Sequence, residues 1–346
     1  MMIGTIAALY RLLYAGVLCR LPEPTAVALG QAVLRRVPLG RLPVFRSRDP
    51  RLAVTLGGVR LPNPLILASM YDDLAVLERA MGLGFGAVTT KSITRAPRPG
   101  HPEPNLVRHD SPAGPGLVNC NGFKNPGLDA YRAALPRLPR RVPLIVAVAG
   151  ESIDDYVRLV AALAPLADLL EFNISSPNTA LVYEWSRKPE ELRALFREVR
   201  AATPRPLILK ISPDFAEENE RAIIPAALDA GVTIVNYGNT RRVAEPRLSQ
   251  GAGGLSGPAL FQSTLANLRR TRAKFGEAVE IIATGGVDTP DKALALIRAG
   301  ASACGYFTGF VTRGPGLARL ILDRLSGELD QTGARDLAAL RPTEAL

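Results

Sequence analysis

Eight short apolar runs, mostly separated by stretches of helical periodicity, constrain what this chain can fold into more than any other feature. They fall at residues 64–68, 86–90, 143–147, 168–173, 206–211, 231–236, 279–283 and 302–307. Each is short for a helix and reads as a buried strand. Between the fourth and fifth, Leu192, Leu195, Phe196 and Val199 recur at i, i+3, i+4 and i+7, the period of an amphipathic helix. Thr289-Pro290, between the seventh and eighth, has the form of an N-cap followed by Pro at the first helical position. Strands that alternate with helices run parallel. Eight such units predict closure, an α/β fold of the (β/α)8 TIM-barrel type. A barrel takes about 250 residues, and a chain of 346 leaves room for extensions. Residues 53–61 read as a hairpin turning at Gly57-Gly58, placed to plug the amino-terminal end of the barrel. Two connections are long, 95–142 and 240–258. Both leave the carboxyl ends of strands, so both are placed to cover an active site.

The fourth run ends in Asn173-Ile-Ser-Ser-Pro-Asn-Thr179. Pro and Asn break the strand there, at the end of a barrel strand where active sites sit. Asn offers a donor and an acceptor together, which suits a ring bearing amides or imides, and a Ser hydroxyl can relay a proton. An arbitrary cluster of this kind is more often a turn that caps the next helix. Glycine-rich motifs at 253–257, 284–286 and 307–309 follow the sixth, seventh and eighth runs. Glycine lets backbone amides approach a phosphate, and barrels often hold phosphate after strands seven and eight. Each motif alone is weak; in this order they predict a phosphate cradle. Lys210 ends the fifth run and reads as a buried lysine needing an anionic or polar partner. That partner is either a structural counter-ion or the N1–C2=O edge of a flavin.

Residues 1–48 differ from the rest, with seven arginines, no lysine and one acid, Glu23. Ile6, Leu9, Tyr10, Leu13 and Val17 predict one face of a helix, broken by Pro22 and Pro24, and 26–37 predict a second helix. Arg11 interrupts the apolar stretch, so a spanning helix fits poorly and two short helices lying on a membrane fit better; a helical cap on the barrel is the alternative. The net charge of +10 suggests anionic partners. With aromatics at 5% and no nucleic-acid motif, nucleic acid is the weaker choice. Three scattered cysteines and two histidines argue against a disulfide framework, a metal site and His-based catalysis. The stretch beyond Leu325 is polar and mixed and predicts little order past a short helix.

From about residue 51 to 325 the chain resembles the dihydroorotate dehydrogenases. The string at 173–179, the Leu9-Tyr-Arg-Leu-Leu13 start and the helical extension resemble the membrane-associated, quinone-using class 2. The resemblance implies an FMN-bearing barrel that oxidises dihydroorotate to orotate in pyrimidine synthesis. It implies Ser176 as the base that takes the C5 proton, with Thr179 and water passing it on. It implies substrate contacts from Asn119, Asn173, Asn178, Asn239 and Thr240, and FMN contacts from Ala68, Ser69, Ser92, Lys210, Gly257, Gly286, Phe307 and Thr308. It divides the chain into an extension at 1–48 that admits quinone, an FMN barrel at 49–326 and a tail at 327–346. It places the protein peripherally on the cytoplasmic face of the inner membrane, with membrane quinone and dihydroorotate or orotate as partners. There are departures. Met70 stands for a usual glycine, Asp73 for the lysine that meets the substrate carboxylate, Asn121 for a usual Met, and Ala147 for a polar FMN contact. Thr90-Lys91-Ser92 resembles the Thr-Lys-Ser of class 1, so Lys91 is expected to hold the carboxylate instead. The departures keep two alternatives open: a related FMN oxidoreductase acting on another pyrimidine or an enone, and a non-catalytic membrane-bound paralogue.

Overall fold

The eight apolar runs become the eight parallel strands of one closed barrel in the computed structural model, which describes residues 2–175 and 188–341. In chain order the strands are β1 (Val54–Leu56), β2 (Val59–Leu61), β3 (Leu65–Leu67), β4 (Ala87–Thr89), β5 (Leu106–Ser111), β6 (Gly114–Asn119) and β7 (Leu144–Val148). They continue with β8 (Leu169–Asn173), β9 (Leu207–Lys210), β10 (Ile234–Asn236), β11 (Arg241–Ala244), β12 (Ala252–Ser256), β13 (Glu280–Thr284) and β14 (Ala303–Tyr306). Around the barrel the order is β3-β4-β7-β8-β9-β10-β13-β14, and β14 pairs with β3 to close it. Helices cover its outside. Leu192, Leu195, Phe196 and Val199 are all fully buried on helix Pro189–Ala201. Thr289 caps helix Pro290–Arg298 by accepting from the Lys292 amide.

Strand alternation explains the barrel interior. Ile66, Ala87, Ile145, Leu169, Ile208, Ile234, Ile282 and Ala303 point inward and form one apolar layer. Leu56 and Leu61 of the β1–β2 hairpin close that layer from below. The Gly57 amide donates to Glu280 Oε1 at 2.9 Å, which ties the hairpin to the barrel rim. Gly57 has φ +56, and a Cβ there would stand 2.7 Å from Ile234 Cδ1, so the turn needs glycine on both counts.

The two long connections are not plain loops. They supply β5, β6, β11 and β12, which pair into a single antiparallel sheet in the order β11-β12-β6-β5. Gly253 and Gly254 therefore sit inside β12, with Gly254 opposite Asn119, and only Gly257 follows the strand.

The extension forms α1 (Met2–Gly16) and α2 (Glu23–Arg36). α2 starts earlier than the sequence suggests, because Pro24 sits in its first turn, where no amide hydrogen is needed. The expected apolar face of α1 divides in two. Ile3 and Ala7 are buried, Ile6 packs against the core, and the Tyr10 hydroxyl donates to the Val311 carbonyl at 2.7 Å. Leu9, Leu13 and Val17 instead face outward. By length and composition alone Met2–Arg20 is apolar enough to cross a membrane, but Ile3 and Ala7 of this stretch are docked in the core. The carboxyl-terminal stretch is also more ordered than expected. Helix Leu317–Thr332 buries Leu322, Leu325 and Leu329 at helical spacing, and Leu337 is buried beyond it.

Candidate active site

Above the apolar layer the inward face turns polar. One strand repeat further along stand Thr89, Glu171, Lys210, Asn236 and Thr284. A further repeat reaches Met70, Lys91, Asn173, Gly238, Gly286 and Phe307, and all six line one cleft at the carboxyl ends of the strands. The cleft holds about 1050 Å³ of non-protein space, open mouth included. Leu106, Leu117, Asn119 and Ser256 of the antiparallel sheet form its cover.

Every proposed site residue among the described ones lines this cleft. Lys91, Asn119, Asn173, Asn239 and Thr240 stand with Ala68, Ser69, Ser92, Lys210, Gly257, Gly286, Phe307 and Thr308 around it. Ser176, Asn178 and Thr179 lie outside the described residues. Their neighbour Ser175 is buried and accepts from Asn239 Nδ2 at 2.7 Å. The same amide donates to Asn173 Oδ1 at 3.0 Å, and the Tyr156 hydroxyl fixes the Asn173 carbonyl at 2.6 Å. Asn173, at the end of β8, and Asn239, after β10, are thus joined across the carboxyl end of β9. Thr308 Oγ1 donates to Ser256 Oγ at 2.9 Å, which joins the end of β14 to the cover.

The charges are buried. Lys210 Nζ stands 3.4 Å from Glu171 Oε1, and Asn236 Nδ2 donates to Glu171 Oε2 at 2.6 Å. Lys91 is 7% exposed, and its ammonium has no hydrogen-bond or ion-pair partner among the described residues. Burial pushes its pKa down to about 8; Asp72 opposes that shift, while Lys210 and Lys124 add to it. A desolvated cation facing an open cleft is a ready site for a carboxylate.

The dihydroorotate dehydrogenase family model matches residues 51–329. The chain belongs to the dihydroorotate dehydrogenase family. It is 35% identical over 319 residues to a Mycobacterium sp. protein named dihydroorotate dehydrogenase (quinone), covering 88% of each. A protein of the same name from Mycobacterium tuberculosis is 34% identical over 333 residues, 90% of this chain and 92% of the relative. A ligand-free DHODH crystal structure from Eimeria tenella superposes with a TM-score of 0.80 at 27% identity, covering 90% of this chain and 98% of that one.

The family implies a flavin cofactor, and the cleft fits one. Thr284 lines the cleft, and its Oγ1 is buried with no hydrogen-bond partner among the described residues, so the floor carries a polar atom that a ligand can satisfy. Gly286 has φ +82, and a Cβ there would stand 2.4 Å from the Phe261 amide nitrogen. The turn after β13 thus packs backbone on backbone, which suits a cradle for a phosphate. Lys210 adds a cation to the cleft wall.

The departures from the family pattern divide. Asp73, which stands for the lysine expected to meet the substrate carboxylate, is absent from the cleft lining. It caps α3 (Leu74–Ala80), accepting from the Ala75 and Val76 amides, and pairs with Arg35 of the extension. Met70 and Asn121 do line the cleft. Sequence reasoning missed Glu171, the counter-ion of Lys210, and Asn236 beside it. The signal was present: an acid in an otherwise apolar strand, two residues before Asn173 and so on the same face.

Proposed function

We propose that this chain oxidises (S)-dihydroorotate to orotate with FMN as its flavin and a membrane quinone as final acceptor. Bound FMN supplies a hydride acceptor for substrate C6 and a carrier of electrons to the quinone. The convergence of Lys91, Asn119, Asn173 and Asn239 on one cleft in a member of this family carries the reading. Lys91 binds the substrate carboxylate. The amides of Asn119, Asn173, Asn178 and Asn239, with Thr240, orient the ring through its donors and acceptors. Ser176 accepts the C5 proton, a weak base that works because the leaving proton is acidified and passed on through Thr179 and water. Lys210, Ala68, Ser69 and Ser92 hold the flavin ring; Gly257, Gly286, Phe307 and Thr308 hold its phosphate end.

The extension supports a place on the membrane, on the cytoplasmic face of the inner membrane in this reading. Among the described residues, every exposed large hydrophobic side chain falls between Met2 and Leu42. Arg11, Arg20 and Arg36 stand exposed on the same segment, each able to add about 1 kcal/mol at an anionic surface.

Met70 and Asn121 favour a second reading, a related flavin oxidoreductase with another pyrimidine or an enone as substrate. One experiment separates the readings. Purified protein is mixed with dihydroorotate, and flavin bleaching and then orotate formation with a short-chain quinone are followed. Flavin that bleaches only with another substrate supports the second reading; protein that takes up no FMN excludes both.

A further inference from the structure

We propose that Glu171 is a positioning residue that acts through Lys210 to set the reduction potential of the flavin in this cleft. The inference rests on the reading of the cleft as a flavin site. Glu171 is 2% exposed and does not line the cleft, whereas Lys210 does. The carboxylate therefore lies one step deeper than the ammonium. Its contact with Lys210 Nζ is long, at 3.4 Å, while its bond from Asn236 is short, at 2.6 Å.

Such a pair is poorly explained by stability. Removing two charges from water costs as much as their attraction returns, and apolar residues of similar volume would serve as well. Electrostatics explains it better. Reduced flavin carries more negative charge than oxidised flavin, so Lys210 alone favours reduction. A carboxylate behind it, in a medium that screens weakly, offsets part of that pull. Glu171 thereby keeps the potential low enough for electrons to move on to the acceptor. Lys210 binds the ring, and Glu171 tunes how strongly its charge is felt.

The test is the midpoint potential of the purified holoprotein, read by equilibration with reference dyes, for wild type, Glu171→Gln and Glu171→Asp. Gln keeps the shape. Its new amide group can meet Asn236 Oδ1, which has no partner among the described residues, once Asn236 turns its amide over. At fixed potential, Glu171→Gln should shift the flavin equilibrium at least tenfold toward the reduced form, about 30 mV positive for a two-electron couple. Glu171→Asp keeps the charge and should stay within about threefold of wild type, the scale being the same couple. A purely structural role predicts the reverse order, because Asp changes the shape and Gln does not. A Gln variant at the wild-type potential overturns the proposal, as does an Asp variant shifted tenfold. Should the Gln variant not hold flavin, the Asp arm decides alone on the same criterion. Wild-type protein that binds no flavin would defeat the functional reading itself, an outcome visible before any potential is measured.

Discussion

Asp73 pairs with Arg35 across the seam between extension and barrel while its other oxygen caps helix α3. One carboxylate thus joins α2 to the start of α3, on the outside of the cleft. The position that reads as a lost substrate contact is a structural joint. Asp73→Ala should lower stability by about 0.5–2 kcal/mol, the usual cost of a lost N-cap. Dihydroorotate turnover with a water-soluble acceptor should stay within about twofold, since no cleft group is touched. Thermal unfolding and steady-state kinetics check both halves. A tenfold loss of kcat/KM at unchanged stability would return Asp73 to the substrate site.

Lys91 is the contrasting case. A charge-assisted hydrogen bond is worth about 1.5–3 kcal/mol, so Lys91→Ala should cut kcat/KM at least tenfold while flavin is retained. Its pKa of about 8 adds a pH signature. Below that pH the ammonium is charged and holds a carboxylate; above it the neutral amine does not. Orotate affinity should be flat below pH 8 and fall above it, approaching tenfold per pH unit, and the fall should vanish in Lys91→Ala. Isothermal titration across pH 6–9 measures it, and identical pH profiles in both proteins would exclude Lys91 as the carboxylate site.

Ser176, the proposed proton acceptor, is tested by the flavin-reduction half-reaction. Loss of a general base commonly costs about 10²–10⁴-fold. Ser176→Ala should bind orotate almost normally and reduce its flavin slowly in stopped-flow. A rate within a few-fold of wild type would move the base elsewhere, with Ser175, buried beside Asn239, the first place to look.

The outward face of α1 separates membrane contact from folding. Deleting residues 1–48 would strip Ile3, Ala7, Leu34 and Phe45 from the core, so substitution is the cleaner probe. Leu9, Leu12 and Leu13 are 61%, 71% and 48% exposed. Changing all three to Glu leaves the docked face alone. Each inserted Leu contributes up to about 1.5–3 kcal/mol, so the triple variant should lose co-sedimentation with anionic vesicles. Turnover with a water-soluble acceptor should persist and turnover with a long-chain quinone should fall. Unchanged pelleting would make the extension a cap on the barrel and nothing more.

The barrel was legible in the chain because its signals are local. Apolar runs, helical spacing, the Gly57-Gly58 turn and the Thr289-Pro290 cap are each decided within a few residues. The cleft was partly legible for the same reason, since a motif at the end of a barrel strand must reach its carboxyl face. The structure alone decided what depends on partners far apart. Gly254 faces Asn119 in a sheet whose strands come from two separate connections, and their glycine-rich, mixed sequences carry no strong strand pattern. Ile6 and Leu9 look alike in sequence, yet the barrel takes one and leaves the other exposed. Glu171 finds Lys210, and Asp73 finds Arg35, because an ion pair is set by which surfaces the fold brings together. Local periodicity determines the elements; only packing determines which charges and faces meet.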